Sequence, residues 1–537
     1  MKRRASLAAL FLVLLTFFLN YGELREWIFY SVQAAKVWSA HGYRGNGRHA
    51  DACRELVERL VPDGTEVYYC SDSHDGGLQP AERSIHIALS WAASPRPVRF
   101  GEGGGGAGAI VVSRFRRVEF PGFRRVAEND CAALWLKEGV LPKNEDFLPA
   151  VSPVREAAGV AVVGLLVFAF GRFAVRGGSA VGGAWPCAAV VLLVAGGLAL
   201  AHTFVAPTGL GVWGGKAKLL YLCGGLPGGF FVDPARATLQ PAYPPGLALL
   251  TLLAYAVSGG CGEWLVQLVV VFAASALCAL LCSRTGSWPA LLWILAALLT
   301  PLSLRVSSLY YAEPFVALLV LAGWMRIREG RGVLSGWALV GAAGLFKGEG
   351  VVLCLACWAA LRLTDGRRAA HPRGLLAALA LPCAWQVGVR LAGGTLYDFA
   401  APWQPDFARL WTAAGFALRA AFLRPWDYIF AWPLAALLLA AAPFRRRFAA
   451  DRADCRGLRA AALAALAASA AFVFVFSLSR ATDFGWHLST ALPRLLWVPS
   501  LLLLAEIVAF SSRAEPQSPQ RVRVGGSVAI RQVEKTP

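Results

Sequence analysis

The sequence predicts an all-α polytopic membrane bundle with a small α/β extracytoplasmic domain near the N-terminus. Of the 537 residues, 57% are hydrophobic and only 16% are charged, whereas soluble domains carry about 25% charged residues. Apolar stretches of about 18 residues recur along the chain, and each is about long enough to cross a hydrocarbon core of about 30 Å as a helix. The stretches are continuous rather than alternating, which favours helices over a closed barrel.

Hydrophobic segments account for most of the chain after residue 153. Counting a segment at the N-terminus, we predict about 11–13 of them from their length and apolar composition. Those after residue 153 lie near 156–171, 186–204, 243–258, 264–283, 287–304, 312–325, 333–346, 350–364, 374–391, 427–443, 459–477 and 494–510.

Composition divides the chain into four regions. Basic residues precede the first apolar run and no small-residue cleavage pattern follows it, so residues 1–22 are expected to form an uncleaved signal anchor. Residues 23–152 form the extracytoplasmic domain, and 153–511 form the multi-helix membrane domain. Residues 512–537 are expected to be a basic, disordered cytoplasmic tail.

The region 23–152 contains no apolar run of membrane length. Its local patterns predict helices at 50–60 and 82–92 and strands at 66–70 and 109–113. Turn residues separate these elements. The combination predicts a small α/β domain.

Basic loops indicate the orientation of the membrane domain. Arginine clusters lie at 326–331, 367–373 and 445–459, and short loops rich in Lys and Arg stay on the cytoplasmic side. We therefore expect a multi-pass protein of the inner membrane with both termini in the cytoplasm. The region 23–152 is then extracytoplasmic.

One segment does not fit a simple crossing pattern. Three apolar segments lie between the loops 205–242 and 305–313, both expected outside, where an even number of crossings is needed. We therefore expect the segment 243–258 to be re-entrant or interfacial rather than spanning.

The distribution of charged residues and cysteines argues against nucleic-acid binding and against redox or metal chemistry. The net charge of +19 falls in short clusters between apolar runs, so membrane topology explains it better than nucleic-acid binding. Cys354 and Cys357 have CxxC spacing inside an apolar helix, which favours packing over redox or metal chemistry. Cys53, Cys70 and Cys131 lie in the polar region, where a disulfide is possible outside the cytoplasm but no pair can be assigned. No metal or cofactor is implied.

Polar residues are expected to converge at the outer ends of the membrane helices. An ionisable group at membrane depth is costly and is therefore a candidate for function. Cations beside carboxylates suit a substrate that carries phosphate, and a carboxylate can act as the general base for a hydroxyl. The candidate substrate-binding residues are Lys216, Lys218, Tyr243, Lys347, Glu349, His487 and Arg494, and the candidate catalytic residues are Asp233 and Glu313.

These residues also have plain structural interpretations. Lys216 and Lys218 could be interfacial lysines that extend toward the lipid headgroups. Glu313 could interact with the dipole of the helix that it begins, and Lys347 with Glu349 could form a surface pair of little energetic value. A functional role is nevertheless favoured, because all of these residues are expected on the same side of the membrane.

Five short motifs follow one another in the membrane domain. They are Trp213-x-x-Lys216-Ala-Lys218, Tyr243-Pro244-Pro245, Tyr311-Ala312-Glu313, Lys347-Gly348-Glu349-Gly350, and His487 with Arg494. In order and topology they resemble the GT-C superfamily of integral-membrane glycosyltransferases, in the group related to protein O-mannosyltransferases and the bacterial RgtA/B/C/D-like enzymes. The resemblance covers about residues 156–510.

The resemblance implies an enzyme that takes a sugar from a polyprenyl-phosphate carrier. It passes the sugar to a glycan, lipid or protein acceptor of the cell envelope, outside the cytoplasmic membrane. It further implies that Lys347, His487 and Arg494 contact the lipid-linked phosphate and that Glu313 lies at the mouth of the active site.

One position departs from the family pattern. Relatives carry an aspartate, the expected base, shortly before the Trp-x-x-Lys-Ala-Lys motif, whereas Thr208 stands there in this chain. A hydroxyl cannot replace a carboxylate as a base at neutral pH, so either Asp233 substitutes or the protein is a divergent, inactive member.

Two other classes of function stay open besides the favoured enzyme. A non-catalytic membrane scaffold would bind a partner through its outer domain. A transporter or flippase is less favoured, because such proteins show internal repeats and polar groups at the midplane, neither of which is evident in this sequence.

Overall fold

The architecture is that of a computed structural model, which describes most of the chain after residue 152. The described residues are 56–57, 61, 67–70, 98–100, 109–113, 123–128, 132–137, 152–175, 181–201, 210–232, 240–261, 266–285, 287–330, 332–366, 369–394, 405–445, 452–478 and 484–513. The predicted signal anchor, the helix at 82–92, Cys53 and Cys131 lie outside them, as does the tail from residue 514.

A five-stranded sheet lies in the N-terminal region, with the order β2-β1-β3-β5-β4. The strands are β1 Val67–Cys70, β2 Val98–Phe100, β3 Ala109–Ser113, β4 Phe123–Glu128 and β5 Ala132–Lys137. Strand β1 pairs in parallel with β2 and β3, whereas β5 pairs antiparallel with β3 and β4. The strands predicted at 66–70 and 109–113 are confirmed as β1 and β3. Leu56 and Val57, within the helix predicted at 50–60, are helical and buried.

Helices make up most of the remainder of the described chain. They are α1 Pro153–Val175, α2 Val181–Ala201, α3 Gly215–Cys223, α4 Gly246–Ser258, α5 Leu268–Cys282, α6 Trp288–Leu298, α7 Pro301–Ser308, α8 Glu313–Arg328, α9 Val333–Ala342, α10 Glu349–Thr364, α11 Pro372–Leu391, α12 Phe407–Leu418, α13 Ala431–Arg445, α14 Arg452–Ser477 and α15 Phe484–Arg513. A π-helix, Leu210–Gly214, runs directly into α3.

Several helices are long and apolar enough to cross a membrane. Such stretches are Val154–Gly171 in α1, Pro372–Leu391 in α11, Arg456–Ser477 in α14 and Leu488–Ser511 in α15. Shorter apolar helices pack around them, so the fold is a helical bundle typical of a membrane protein. Helix α4 has 13 residues and spans about 20 Å. That length is short of the hydrocarbon core, as it is for several other helices of the bundle, so a re-entrant or interfacial segment at 243–258 stays a prediction.

The segment predicted at 287–304 is two helices rather than one. Helix α6 ends at Leu298, α7 begins at Pro301, and the two meet at 62°. The Thr300 side chain accepts a hydrogen bond from the Ser303 N–H over 3.2 Å. A threonine cap followed by proline starts a new helix, which explains the break. The break turns the chain toward the start of α8.

Helices α8, α10 and α15 are tied together at one end of the bundle. Arg328 near the end of α8 pairs with Asp365, which follows α10. Trp324 of α8 donates its indole hydrogen to Glu506 of α15 over 2.8 Å. Because the three helices run in the same direction from their first residues, the opposite ends are brought together as well. Those opposite ends carry predicted site residues.

Candidate functional site

Four charged side chains meet where α8 and α10 begin and where α15 passes them. The Lys347 ammonium lies 3.1 Å from Glu313 Oε1 and 3.2 Å from Glu349 Oε1. Arg494 Nη1 lies 3.4 Å from the same Glu313 oxygen. Glu313 is 2% exposed and Lys347 is 7% exposed, so this is a buried network rather than a surface pair. We call these four residues the charge cluster.

Aromatic rings border the charge cluster. The Arg494 guanidinium lies over the Tyr311 ring, 4.2 Å from its centroid, within the range of a cation–π interaction. Tyr243 is close enough to interact electrostatically with all four members of the cluster. A cation confined between a carboxylate and a ring keeps a fixed position, which suits recognition of an anionic group.

Lys216 approaches the cluster through Tyr243. Its ammonium donates to the Tyr243 carbonyl oxygen over 2.9 Å, and the lysine is 2% exposed. Lys216 is therefore buried and hydrogen-bonded rather than extended toward lipid headgroups. Lys218 is also buried, but it follows two residues later, roughly 200° around the helix. The two lysines therefore leave α3 on different sides.

A left-handed residue delivers Glu313 to the site. Tyr310 lies between α7 and α8 with φ +58°, a conformation that costs a residue with a side chain about 1–3 kcal/mol. Its ring is fully buried, and its hydroxyl shares a hydrogen bond with Thr251 of α4. Strain that is held by such contacts is common at functional sites. Here it sets the turn that places Glu313 at the start of α8.

Two glycines allow the Lys347 turn to reach the cluster. A Cβ at Gly350 would lie 2.4 Å from the Ala343 carbonyl carbon, and a Cβ at Gly246 would lie 2.7 Å from the Leu345 carbonyl oxygen. Neither distance is possible for a real side chain against backbone. The starts of α4 and α10 therefore pack directly on residues 343–345, which brings Tyr243 close to Lys347.

The Arg494 segment is held from the α12–α13 connection. The Tyr428 hydroxyl donates to the carbonyl oxygen of Pro493, the residue before Arg494, over 3.2 Å. Ile429 and Phe430 adopt φ +51° and +56°, which aims the buried Tyr428 at α15. Nothing in the sequence marks Tyr428 as part of a site, because the contact depends on the packing of two distant segments.

We expect Tyr428→Phe to lower the free energy of unfolding by about 1 kcal/mol, the usual net value of one hydrogen bond. Thermal or denaturant unfolding of the purified protein measures the effect. Tyr221→Phe is the control, because the Tyr221 ring packs on Tyr255 and its hydroxyl makes no hydrogen bond seen among the described residues. Equal stability of the Tyr428 variant and the wild type would contradict a positioning role.

The structure gathers most of the residues predicted for the site. Glu313, Lys347, Glu349, Arg494 and Tyr243 come together, and Lys216 joins through Tyr243. Lys218 is buried on another side of α3. Asp233, Thr208 and the side chain of His487 lie outside the described residues. Trp213 and Tyr311 occur in the motifs but were not predicted as site residues, although both lie beside the cluster or Tyr243.

Neither metal-ligand geometry in the described residues nor comparison with known proteins points to a function for this site. Within the ranges described above, no group of three or more His, Cys, Asp or Glu side chains could hold a metal ion. Cys354 and Cys357 are free and buried in α10. Comparisons of the chain with family models, curated proteins and solved structures found no match.

Proposed function

We propose that the protein is a membrane glycosyltransferase. It would take a sugar from a polyprenyl-phosphate carrier and pass it to a hydroxyl of a glycan, lipid or protein acceptor of the cell envelope. The observation that carries this proposal is the buried charge cluster, in which two cations, Lys347 from the turn before α10 and Arg494 from α15, flank one carboxylate. Ionisable groups inside a membrane bundle are costly to maintain and mark sites of function.

The donors of the cluster suit a phosphate group. Lys347 has three N–H donors, and two of them face Glu313 and Glu349. Arg494 uses Nε on the Thr490 carbonyl oxygen and Nη1 on Glu313, which leaves further guanidinium hydrogens. The two carboxylates balance the two cations of the cluster, so a phosphate anion would be held by the N–H donors that remain on those cations.

In this proposal Glu313 interacts with the hydroxyl that receives the sugar. Its second oxygen, Oε2, is buried and has no hydrogen-bond partner among the described residues. A carboxylate oxygen in that state can receive the hydrogen of a substrate hydroxyl. In the proposed step the acceptor oxygen forms a bond to the anomeric carbon as the bond from that carbon to the carrier phosphate breaks. The proton goes to a carboxylate, Glu313 or Asp233, and the cations stabilise the leaving phosphate.

Binding of farnesyl phosphate, a short polyprenyl phosphate, tests the proposal on the purified full-length protein. We expect Lys347→Met to weaken binding at least about 10-fold, because one charge-assisted hydrogen bond is lost. Arg284→Met is the matched control. It removes a cation that pairs with Glu329 away from the cluster and should leave the affinity unchanged.

A transfer assay completes the test. Vesicles that contain the protein and radiolabelled polyprenyl-phosphate sugars should release label from the carrier to an acceptor, and the Lys347 variant should not. A wild type that binds farnesol as well as farnesyl phosphate would contradict the proposal. That outcome, with no transfer of label, would favour the scaffold, since a charge-balanced cluster can also serve structure alone.

A further inference from the structure

Trp213 occupies an unusual segment beside the charge cluster. It lies in the π-helix Leu210–Gly214, which continues into α3. Single π turns are rare and are frequent at functional sites. The Trp213 ring is 5% exposed and packs edge-to-face on Tyr243, with centroids 6.1 Å apart. The widened turn therefore places a buried indole against a ring that borders the cluster.

The indole hydrogen of Trp213 has no acceptor among the described residues. Its Nε1 is buried and makes no hydrogen bond in the described structure. An indole N–H is only a donor, and leaving it buried without a partner costs about 1–3 kcal/mol. Three other indoles of the bundle, those of Trp324, Trp432 and Trp497, each donate to a side-chain oxygen over 2.8 Å, whereas those of Trp293 and Trp358, like that of Trp213, have no partner among the described residues. Trp213 therefore retains an unused donor.

The chemistry around this donor indicates what it binds. Lys216 follows Trp213 by three residues, and its ammonium uses one of three donors on the Tyr243 carbonyl oxygen. Trp213 and Lys216 are therefore two buried side chains with N–H donors, and both contact Tyr243, whereas the carboxylates belong to the charge cluster. Such N–H donors complement an anionic oxygen.

We propose that Trp213 is a substrate-binding residue that donates its indole hydrogen to a phosphate oxygen of the lipid-linked sugar. The inference rests on the proposed function and makes it more specific. The carrier phosphate lies between α3 and the charge cluster, and it is held by Trp213 and Lys216 on one side and by Lys347 and Arg494 on the other. The acceptor hydroxyl then approaches from the side of Glu313.

Trp213→Phe in the purified full-length protein tests this assignment, because phenylalanine keeps an aromatic ring and removes the N–H. We expect farnesyl phosphate to bind about 10-fold more weakly. Trp293→Phe is the matched control. The Trp293 indole nitrogen is also buried without a partner, but it lies in α6, which packs on α2 and α5. Trp293→Phe should therefore leave the affinity for farnesyl phosphate unchanged.

Thermal unfolding without lipid separates a ligand contact from a structural one. Because the Trp213 N–H has no partner among the described residues, its loss should change the unfolding temperature no more than Trp293→Phe does. A much larger loss for Trp213→Phe would overturn the assignment. If Trp213→Phe binds farnesyl phosphate like the wild type while Lys347→Met binds it more weakly, the assignment of Trp213 is overturned and the proposed function stands. A wild type without affinity for farnesyl phosphate would overturn both proposals.

Discussion

Glu313→Gln is expected to destabilise the protein by about 3–5 kcal/mol, because it leaves buried cations without their counter-charge. Lys347 and Arg494 both contact the same Glu313 oxygen. A glutamine of nearly the same shape would place a neutral amide between them. Denaturant unfolding of the purified variant measures the loss, and transfer of labelled sugar is expected to fall at the same time.

The affinity of this variant for carrier phosphate should move in the opposite direction. The charge cluster contains two cations and two carboxylates, so its net charge is zero. Removing one carboxylate raises that net charge to +1. A phosphate anion would then restore the missing counter-charge. Farnesyl phosphate should therefore bind more tightly and should raise the unfolding temperature more than it does in the wild type.

Glu329→Gln is the control for this prediction. Glu329 pairs with Arg284, and its side chain is 30% exposed. Such exposed pairs contribute about 0–1 kcal/mol, so little stability should be lost and phosphate binding should not change. Weaker farnesyl phosphate binding by Glu313→Gln would show that the carboxylate orients the cations rather than competing with the ligand.

All four members of the charge cluster are among the nine residues that the sequence predicted for a site. Glu313, Glu349 and Arg494 each stand at the start of an apolar run or inside it, on the side that we predict from the basic loops to be outside. Helices that share a direction bring such positions to one end of a bundle. The structure adds the pairing, because which cation contacts which carboxylate depends on helix separation and rotation.

Other features of the site depend on packing that no local pattern encodes. Tyr310 is a tyrosine in a left-handed conformation, which its own residue type disfavours and which contacts with α4 maintain. Trp213 stands in a π turn that its sequence does not mark. The break between α6 and α7 is different, because Thr300 and Pro301 are cap signals that the apolar run obscured.

The turn that carries Lys347 can be tested through the glycine that follows it. Gly350→Ala is expected to destabilise the protein by about 1–3 kcal/mol, the usual cost of overpacking. Its Cβ would lie 2.4 Å from the Ala343 carbonyl carbon and 2.5 Å from the Gly344 nitrogen. Both are backbone atoms that cannot rotate away, so the start of α10 must move.

This movement should weaken the binding of farnesyl phosphate although no N–H donor is removed. The reason is that Lys347 lies in the turn that moves and Glu349 begins the helix that follows it. Gly388→Ala in α11 is the control, since a Cβ there meets nothing within 4 Å. Alanine in a helix interior is favoured over glycine by about 0.5–1 kcal/mol, so that variant should be slightly more stable and should bind normally. If Gly350→Ala is instead as stable as Gly388→Ala and binds farnesyl phosphate like the wild type, close packing of this turn cannot be what holds Lys347 beside Glu313.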